Sequence, residues 1–323
     1  MISTPQRIRN GGRRSQAKFY LFLMAIALNS SLARAQTLSE RLGYGKEDIL
    51  LIINNDDAGM CHAANVGTMK GMEEGVITSA TIMFNCAWHT GIVDFAKNNP
   101  TRDFGVHLTL TSEWRQYKWG TLAPSETVSS LLDENGHLYR GVMDVYQHAT
   151  PEHAYIEGKA QIEKALSYGL PITHIDSHMG TFQLHPAYIE QYLRLAKEYN
   201  LPLRMASQST LAKHGQEGLR AHAAAMGLVF TDYMVYEELQ RYGDDVEMFW
   251  LDIIENLQPG VTELYLHASE LTPELEAITG TAKKRAGELA AFTNSEKIRE
   301  ALAKRNVHLI SYRPLLELQR AGE

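Results

Sequence analysis

The sequence predicts an α/β fold in which a largely parallel sheet forms one irregular (β/α) barrel. Apolar, β-branched runs alternate along the chain with longer amphipathic stretches, the pattern of parallel strands joined by helical crossovers. Of the 323 residues, 44% are hydrophobic and 21% are charged, as in a globular protein with an ample core. No internal repeat or low-complexity linker divides the chain. We therefore predict a single domain over residues 36–323.

Strands and helices are assigned from hydrophobic periodicity and from the turn residues that bound each run. The predicted strands are Ile49–Asn54, Ile77–Phe84, Phe104–Leu110, Ile172–Asp176, Leu203–Ala206, Glu263–His267 and Val307–Ser311. The clearest helical patterns are Ala63–Glu74, Pro151–Tyr168, Ala187–Tyr199, Val246–Asn256 and Ser295–Lys304.

Two segments lack clean periodicity. Residues 113–143 contain Trp114, Tyr117 and Trp119, which could either line a substrate groove or pack on the barrel rim. Residues 207–242 carry several Gly, His and Tyr residues and are predicted to cover the barrel mouth.

The first 35 residues are predicted to be a signal peptide. Five basic residues lie between Arg7 and Lys18, an apolar stretch follows at Phe19–Leu28, and Ala33–Ala35 has the small-x-small pattern of a cleavage site. An uncleaved anchor is the alternative, but the apolar stretch is half of the ~20 residues that span a bilayer. We expect an exported protein, periplasmic or secreted, without stable membrane association after cleavage.

Charge and cysteine content exclude some classes of protein. A formal net charge of -7 without a basic cluster in the predicted domain argues against a nucleic-acid partner. Two cysteines, Cys61 and Cys86, are too few for a disulfide scaffold, and their pairing stays open. Sequence leaves the oligomeric state open too, including a homo-oligomer.

Paired carboxylates end the first predicted strand. Asp56 and Asp57 follow a hydrophobic run and precede a turn at Gly59, and active sites of α/β folds assemble at the carboxyl ends of strands. Two adjacent carboxylates repel unless a cation neutralises them or one stays protonated, so a divalent metal is the simplest resolution. A helix cap is the structural alternative.

Histidines occupy matching places on later strands. His107 alternates with apolar residues on its strand, while His174, Asp176 and His178 share one face of another. Imidazole and carboxylate together suit zinc and other borderline divalent ions. Because His178 lies just past the predicted strand end, we favour it as a ligand and interpret His174 as structural.

Three further residues complete the candidate site. Asp176 and Arg204 are interpreted as residues that support the metal ligands or contact substrate. His267 ends a late strand and is a candidate general acid or oxyanion-stabilising group, with a structural role as the alternative.

Taken together, these segments resemble the YdjC-like carbohydrate deacetylases, a family that includes the chitooligosaccharide deacetylases. The segments that carry the resemblance are Asp56–Gly59, Gly75–Ser79, Gly105–Thr111, Thr173–His178, the strand ending in His267, Lys284–Thr293 and Leu309–Arg313. The resemblance implies a barrel of the glycoside hydrolase/deacetylase type and metal-assisted removal of acetyl groups from N-acetylated sugars or oligosaccharides.

The same resemblance implies a role for each residue. Asp57, His107 and His178 would hold a divalent metal, commonly magnesium in this family, with zinc as the alternative. Asp56 would be the catalytic base. Two rival functions stay open: a barrel glycosidase or esterase, and an inactive exported carbohydrate-binding protein. A glycosidase needs two carboxylates a defined distance apart and usually no metal.

Overall fold

A parallel sheet of seven strands curls into a barrel-like half cylinder at the centre of the structure. The structure is a computed structural model that describes Met1 and residues 36–235 and 245–322. The strands are β1 (Ile49–Ala58), β2 (Ser79–Ile82), β3 (Phe104–Leu108), β4 (Ile175–Ser177), β5 (Tyr233–Met234), β6 (Gly260–Leu266) and β7 (Val307–Leu309). The predicted α/β barrel-like fold is therefore confirmed.

The first strand, β1, lies in the middle of the sheet. The strand order is β4-β3-β2-β1-β6-β5, and β7 pairs with the first residues of β1. All ten residues of β1 are buried. Parallel strands covered on both faces have continuous apolar sequences, which explains the run of Leu and Ile residues before Asn54.

The barrel interior changes character along β1. Leu50 and Ile52 join Val261 in an apolar layer. Asn54 and Asp56 follow on the same face, because alternate residues of a strand share a face. The interior is therefore apolar toward the amino ends of the strands and polar toward the carboxyl ends, where the candidate site lies.

One predicted strand is wrong. Leu203–Ala206 contributes only a single parallel bridge, between Leu203 and Ile175. Hydrogen bonding continues from Leu203 N to Val229 O at 3.3 Å. The additional strand is Tyr233–Met234, inside the segment predicted to cover the mouth. Two residues are too few to carry a period-two signal, so this strand could not be found from the pattern.

Thirteen α-helices occur in the described residues. They are α1 (Leu38–Arg41), α2 (His62–Glu73), α3 (His89–Asn98), α4 (Val142–His148), α5 (Pro151–Ser167), α6 (Pro186–Glu198), α7 (Gln208–Lys213), α8 (Leu219–Ala225), α9 (Val246–Glu255), α10 (Pro273–Ile278), α11 (Ala282–Asn294), α12 (Glu296–Lys304) and α13 (Arg313–Ala321). The five predicted helices are confirmed. Side chains of Thr150, Asp245 and Ser295 cap α5, α9 and α12.

An irregular insertion, residues 109–141, connects β3 to α4. The buried carboxylate of Glu157 on α5 holds its middle part, accepting hydrogen bonds from the backbone N of Leu122 at 3.0 Å and of Ala123 at 2.9 Å. Trp119 Nε1 donates to Thr111 O at 3.0 Å. These contacts fix the insertion on the barrel although it has little regular secondary structure.

From Thr37 onward the described residues form one compact unit. Residues 2–35 of the predicted signal peptide and residues 236–242 of the predicted mouth cover lie outside the described residues. None of the described helices has the length and apolar character needed to cross a bilayer. Cys61 and Cys86 are buried free thiols, so they form no bridge.

Candidate metal centre and active site

Asp56 and Asp57 face the same site because β1 loses its regular register at this point. The pairing of β1 with β2 shifts between Asn55 and Ala58, and Asp57 has a left-handed backbone with φ 62°. Asp tolerates this conformation better than most residues. Such irregularities often redirect a side chain beside an active site. Two neighbours that a regular strand would separate are thereby brought together.

Three donor atoms form a nearly equilateral triangle at the carboxyl ends of β1, β3 and β4. Asp57 Oδ1 lies 3.2 Å from His107 Nε2 and 3.3 Å from His178 Nδ1. The two nitrogens are 3.2 Å apart. A divalent ion with bonds of about 2.1 Å holds neighbouring donors about 3.0–3.4 Å apart in octahedral or tetrahedral coordination. The triangle therefore fits a divalent cation.

The outer nitrogen of each histidine contacts a carboxylate. His107 Nδ1 lies 2.7 Å from Asp176 Oδ1, and His178 Nε2 lies 3.0 Å from Glu113 Oε2. Each carboxylate accepts the N–H of the outer nitrogen, so the opposite nitrogen faces Asp57 and can offer its lone pair to a metal once it is deprotonated. Metal coordination requires this tautomer.

Asp57 is the second indication of a cation. Within the described part of the chain, no donor is aligned for a hydrogen bond to either of its buried carboxylate oxygens. Arg285 Nη1 lies 2.8 Å from Oδ2, close enough for an ion pair but not aligned as a hydrogen bond. A buried carboxylate without donors is costly. Oδ1 faces the two imidazole nitrogens, and a cation in the triangle would bind all three atoms.

Electrostatics favour positive charge at the same place. Burial lowers the pKa of both histidines, but Asp176 outweighs it and raises the pKa of His107 to about 10. Glu113 likewise raises the pKa of His178 to about 9 against the effect of burial. Burial would raise the pKa of Asp57, yet Arg285 and the histidines hold it well below its usual value. Protons or a bound cation can supply this positive charge.

A second set of potential ligands, formed by Asp56, His107 and Asp176, is less suited to a metal. Its two carboxylates already bind Arg204: Nη1 lies 2.7 Å from Asp56 Oδ2, and Nη2 lies 3.0 Å from Asp176 Oδ2. The Nδ1 atom of His107 is engaged by Asp176 as well. The triangle that includes Asp57 is therefore the better candidate for a metal site.

Asp56 lies beside the triangle and is ionised. Burial would raise its pKa, but the Arg204 guanidinium lowers the pKa of Asp56 to about 2. Its Oδ1 accepts hydrogen bonds from Asn54 Nδ2 at 2.8 Å and Arg204 Nη2 at 2.7 Å, while Oδ2 accepts one from Nη1 at 2.7 Å. A carboxylate has about four acceptor positions, so among the described residues one on Oδ2 has no donor.

His267 lies at the end of β6 and lines a small cavity of about 30 Å³ together with Lys284 and Glu288. Its backbone N donates to Glu288 Oε2 at 2.8 Å. Burial, with the nearby Arg285, lowers the pKa of His267 to about 4. At neutral pH this imidazole is therefore uncharged, which favours hydrogen bonding to an oxyanion over proton donation.

The aromatic residues of the insertion divide between the two predicted roles. Trp119 is buried, with 5% of its surface exposed, and its ring packs 6.3 Å from that of His178. The hydroxyl of Tyr117 donates to Met60 O. Trp114 is only partly buried and lies 5.8 Å from the guanidinium carbon of Arg285. Tyr117 and Trp119 thus pack beside the site, whereas Trp114 keeps part of its surface exposed.

All the predicted site residues except His267 are linked by the direct contacts given above. His174, interpreted above as structural, lies apart from them and stacks on Tyr312. Sequence reasoning missed two charged residues, Glu113 and Arg285. Glu113 lies in the aperiodic insertion, where no spacing rule applies. Arg285 lies on a helix, α11, where a basic residue is normally interpreted as part of a solvated face.

A parallel barrel-like sheet with one carboxylate and two imidazoles at three strand ends defines an α/β protein with a candidate divalent-metal centre. The sequence profile of the family described as "YdjC-like protein" matches residues 50–304. The chain belongs to this family, which confirms the resemblance inferred from its motifs.

Similar proteins include several named carbohydrate deacetylases. The chain is 31% identical to the carbohydrate deacetylase of Brevibacillus brevis, with 82% of this chain and 99% of the relative covered. It is 31% identical to that of Thermus thermophilus, with 87% and 98% covered. The crystal structure of an Enterococcus faecalis V583 protein, described as a candidate cellobiose-phosphate cleavage protein, is similar with TM-score 0.73 and 28% identity, covering 83% of this chain and 99% of that one.

Proposed function

We propose that the protein is a metal-dependent hydrolase that removes acetyl groups from N-acetylated sugars or oligosaccharides. The observation that carries the metal chemistry is the triangle of Asp57, His107 and His178 donors, whose edges measure 3.2–3.3 Å beside an ionised Asp56. The carbohydrate substrate is supported by the names of the relatives.

The proposed residues divide the chemistry between them. A cation held by Asp57, His107 and His178 would polarise the acetyl carbonyl and increase the acidity of a water molecule. Asp56 Oδ2, through its one available acceptor position, takes a proton from that water as its oxygen bonds to the carbonyl carbon. Arg204 keeps Asp56 ionised and fixes the direction of this position.

The carboxyl group of Asp56 also donates the proton that the leaving amine needs. As the carbon–nitrogen bond breaks, the proton held by Asp56 passes to the leaving amine, and acetate and the free amine are the products. His267, uncharged at neutral pH, donates its N–H to the developing oxyanion. We therefore propose oxyanion stabilisation, rather than general-acid catalysis, as the role of His267.

The donor atoms bear on which metal the site takes. Two imidazoles and one carboxylate suit zinc and other borderline divalent ions, whereas magnesium prefers an all-oxygen set. We propose zinc or a similar transition-metal ion, and magnesium, which the family resemblance suggests, as the alternative. Elemental analysis of the purified protein distinguishes the two.

Acetate release is the direct test of the proposed function. Purified protein is incubated with N-acetylated and O-acetylated saccharides, with and without a chelator, and free acetate, free amine and new reducing ends are measured. We expect acetate and amine, loss of activity with chelator, and recovery when zinc or another divalent ion is restored. New reducing ends without acetate would instead support a glycosidase.

Variants link that activity to the triangle. His107→Ala and His178→Ala should each abolish bound metal and acetate release together. His214→Ala is the matched control, because His214 is exposed and has no part in the site. Full activity in either triangle variant would refute the metal assignment, and saccharide binding without acetate release would support the inactive binding protein.

We also propose export, which is supported by the basic and apolar composition of the first 35 residues and the Ala33–Ala35 pattern. Cell fractionation followed by amino-terminal sequencing tests it. We expect the protein outside the cytoplasm, beginning near Gln36. A cytoplasmic protein that retains Met1 would contradict the proposal.

A further inference from the structure

We propose that Glu113 is a positioning residue that aligns His178 for metal binding and thereby makes the metal site depend on the docked insertion. The inference rests on the proposed metal centre. It assigns a task to a residue that lies on none of the barrel strands.

The geometry at His178 leaves little freedom for another arrangement. Its imidazole has two nitrogens: Nδ1 faces Asp57 Oδ1 at 3.3 Å, and Nε2 faces Glu113 Oε2 at 3.0 Å. The imidazole is buried, with 5% of its side chain exposed, and the Glu113 side chain that contacts it is 22% exposed. The Glu113 carboxylate fixes both the ring orientation and the tautomer, which directs the Nδ1 lone pair to the triangle.

The other histidine has the same arrangement, which makes it an internal comparison. His107 Nδ1 contacts Asp176 Oδ1 at 2.7 Å, and its Nε2 faces Asp57. Asp176 lies on β4, and its other oxygen, Oδ2, contacts Arg204 and accepts a hydrogen bond from Thr81. One ligand is therefore aligned by the barrel itself and the other by the insertion.

The insertion is built to hold Glu113 in place. On one side of Glu113, the hydroxyl of Ser112 accepts a hydrogen bond from Trp119 N at 3.2 Å, and Ser112 N donates to Tyr139 O at 2.7 Å. Further along, Glu157 of α5 accepts hydrogen bonds from two backbone amides of the insertion. Glu113 thus lies on a loop that hydrogen bonds fix at several points.

Docking of the insertion and metal binding are thermodynamically linked in this arrangement. If docking of the insertion aligns His178, then metal binding must in turn favour the docked insertion by the same free energy. Loosening the insertion should weaken metal binding even where no ligand is changed. The effect expected from removing a carboxylate behind a metal-binding histidine is about 10-fold to 100-fold in metal affinity.

The test measures metal binding directly rather than turnover. Metal-free protein is titrated with Zn²⁺ by calorimetry and with Co²⁺ by visible absorption, for the wild type, Glu113→Ala, Glu113→Gln and Glu134→Ala. Glu134 is the matched control, an exposed glutamate of the same insertion with no contact to the site. Thermal unfolding of the metal-free variants shows whether each is folded.

We expect Glu113→Ala to weaken binding of both ions about 10-fold to 100-fold and to change the Co²⁺ absorption bands, because the ligand field depends on ring orientation. Glu113→Gln keeps a hydrogen-bond acceptor and should restore most of the affinity, which a purely structural role would not predict. Glu134→Ala should match the wild type. Equal Zn²⁺ and Co²⁺ affinities in the wild type and Glu113→Ala would overturn the inference while leaving the metal centre intact. A wild-type protein that binds neither ion would overturn the proposed function itself.

Discussion

Asp56 and Arg204 form a buried two-point pair, in which Nη1 and Nη2 of the guanidinium each lie 2.7 Å from a different carboxylate oxygen. The same guanidinium contacts Asp176 at 3.0 Å and, through Nε, Glu263 at 2.8 Å. One positive charge thus faces three buried carboxylates. Burial raises the pKa of Glu263 to about 7, because Arg204 cannot compensate all three.

Removing this guanidinium should destabilise the protein strongly. Arg204→Met removes the guanidinium that three buried carboxylates share, and breaking a buried ion pair in this way costs about 3–5 kcal/mol. Arg204→Lys keeps the charge but not the two-point geometry, so a smaller loss is expected. Denaturant unfolding measures both. Arg194→Met, which removes an exposed arginine paired with Glu152, is the control and should change stability little. Equal stability of Arg204→Met and Arg194→Met would contradict this account.

We expect the two adjacent aspartates, Asp56 and Asp57, to have different functions. Asp56→Asn removes the proposed base while leaving the triangle, so acetate release should fall by about 10²–10⁴-fold with metal affinity retained. Asp57→Asn removes a ligand, so metal affinity and activity should fall together. Metal titration and turnover of both variants test this division. If Asp56→Asn also loses the metal, Asp56 is a ligand rather than a base.

The sequence predicted the parts of the site that follow from strand periodicity. His107 and His178 were found because strand ends in a parallel sheet converge, and Asp56 and Asp57 because a carboxylate pair ends an apolar run. The way in which both aspartates face the site was not predictable in detail, since it depends on a left-handed backbone at Asp57. A single side-chain pattern does not encode that backbone.

Side-chain contacts between residues far apart in the sequence were harder to predict. Arg204 lies in a run predicted as a strand that makes only one bridge, yet its side chain joins Asp56, 148 residues away. Glu113 and Arg285 contact His178 and Asp57 from an aperiodic loop and from a helix. Such contacts depend on how the insertion and α11 pack on the barrel, which no local pattern specifies.

Metal binding should release protons at neutral pH. In the metal-free protein the pKa values of His107 and His178 are raised to about 10 and about 9. Both rings are therefore imidazolium ions at pH 7, with a proton on each nitrogen. A metal must displace those protons from the nitrogens that it binds, so its affinity should rise with pH. Calorimetry in buffers of different ionisation enthalpy counts the protons released. Binding without proton release, or affinity that is independent of pH between 6 and 8, would count against the site.

Trp114 should affect substrate binding more than chemistry. Its ring is partly exposed beside Arg285 and follows Glu113 in the chain, so it borders the metal centre. The negative face of an indole can pack on the C–H groups of a sugar ring. Trp114→Ala should raise KM for saccharide substrates with kcat changed less. Tyr44→Ala is the control, because Tyr44 packs on His308 before β1, at the opposite end of the barrel. An unchanged KM in Trp114→Ala would exclude the predicted contact.

His174 should make the protein less stable in acid. Its imidazole is fully buried, stacks on Tyr312 with ring centroids 3.8 Å apart, and has no hydrogen-bond partner at Nε2 among the described residues. Burial lowers its pKa well below the usual value of 6.5. The unfolded chain therefore binds a proton at this residue below about pH 6.5 that the folded chain does not bind, and stability falls as pH falls.

The expected slope is at most about 1.4 kcal/mol of unfolding free energy for each pH unit below 6.5. Denaturant unfolding of the wild type and His174→Gln between pH 8 and pH 5 isolates the effect, because the other titrating groups are common to both proteins. The difference in unfolding free energy, wild type minus variant, should be constant above pH 7 and should shrink as the pH falls. Parallel curves across the whole range would mean that His174 takes up a proton in the folded state, although Nε2 has no acceptor among the described residues.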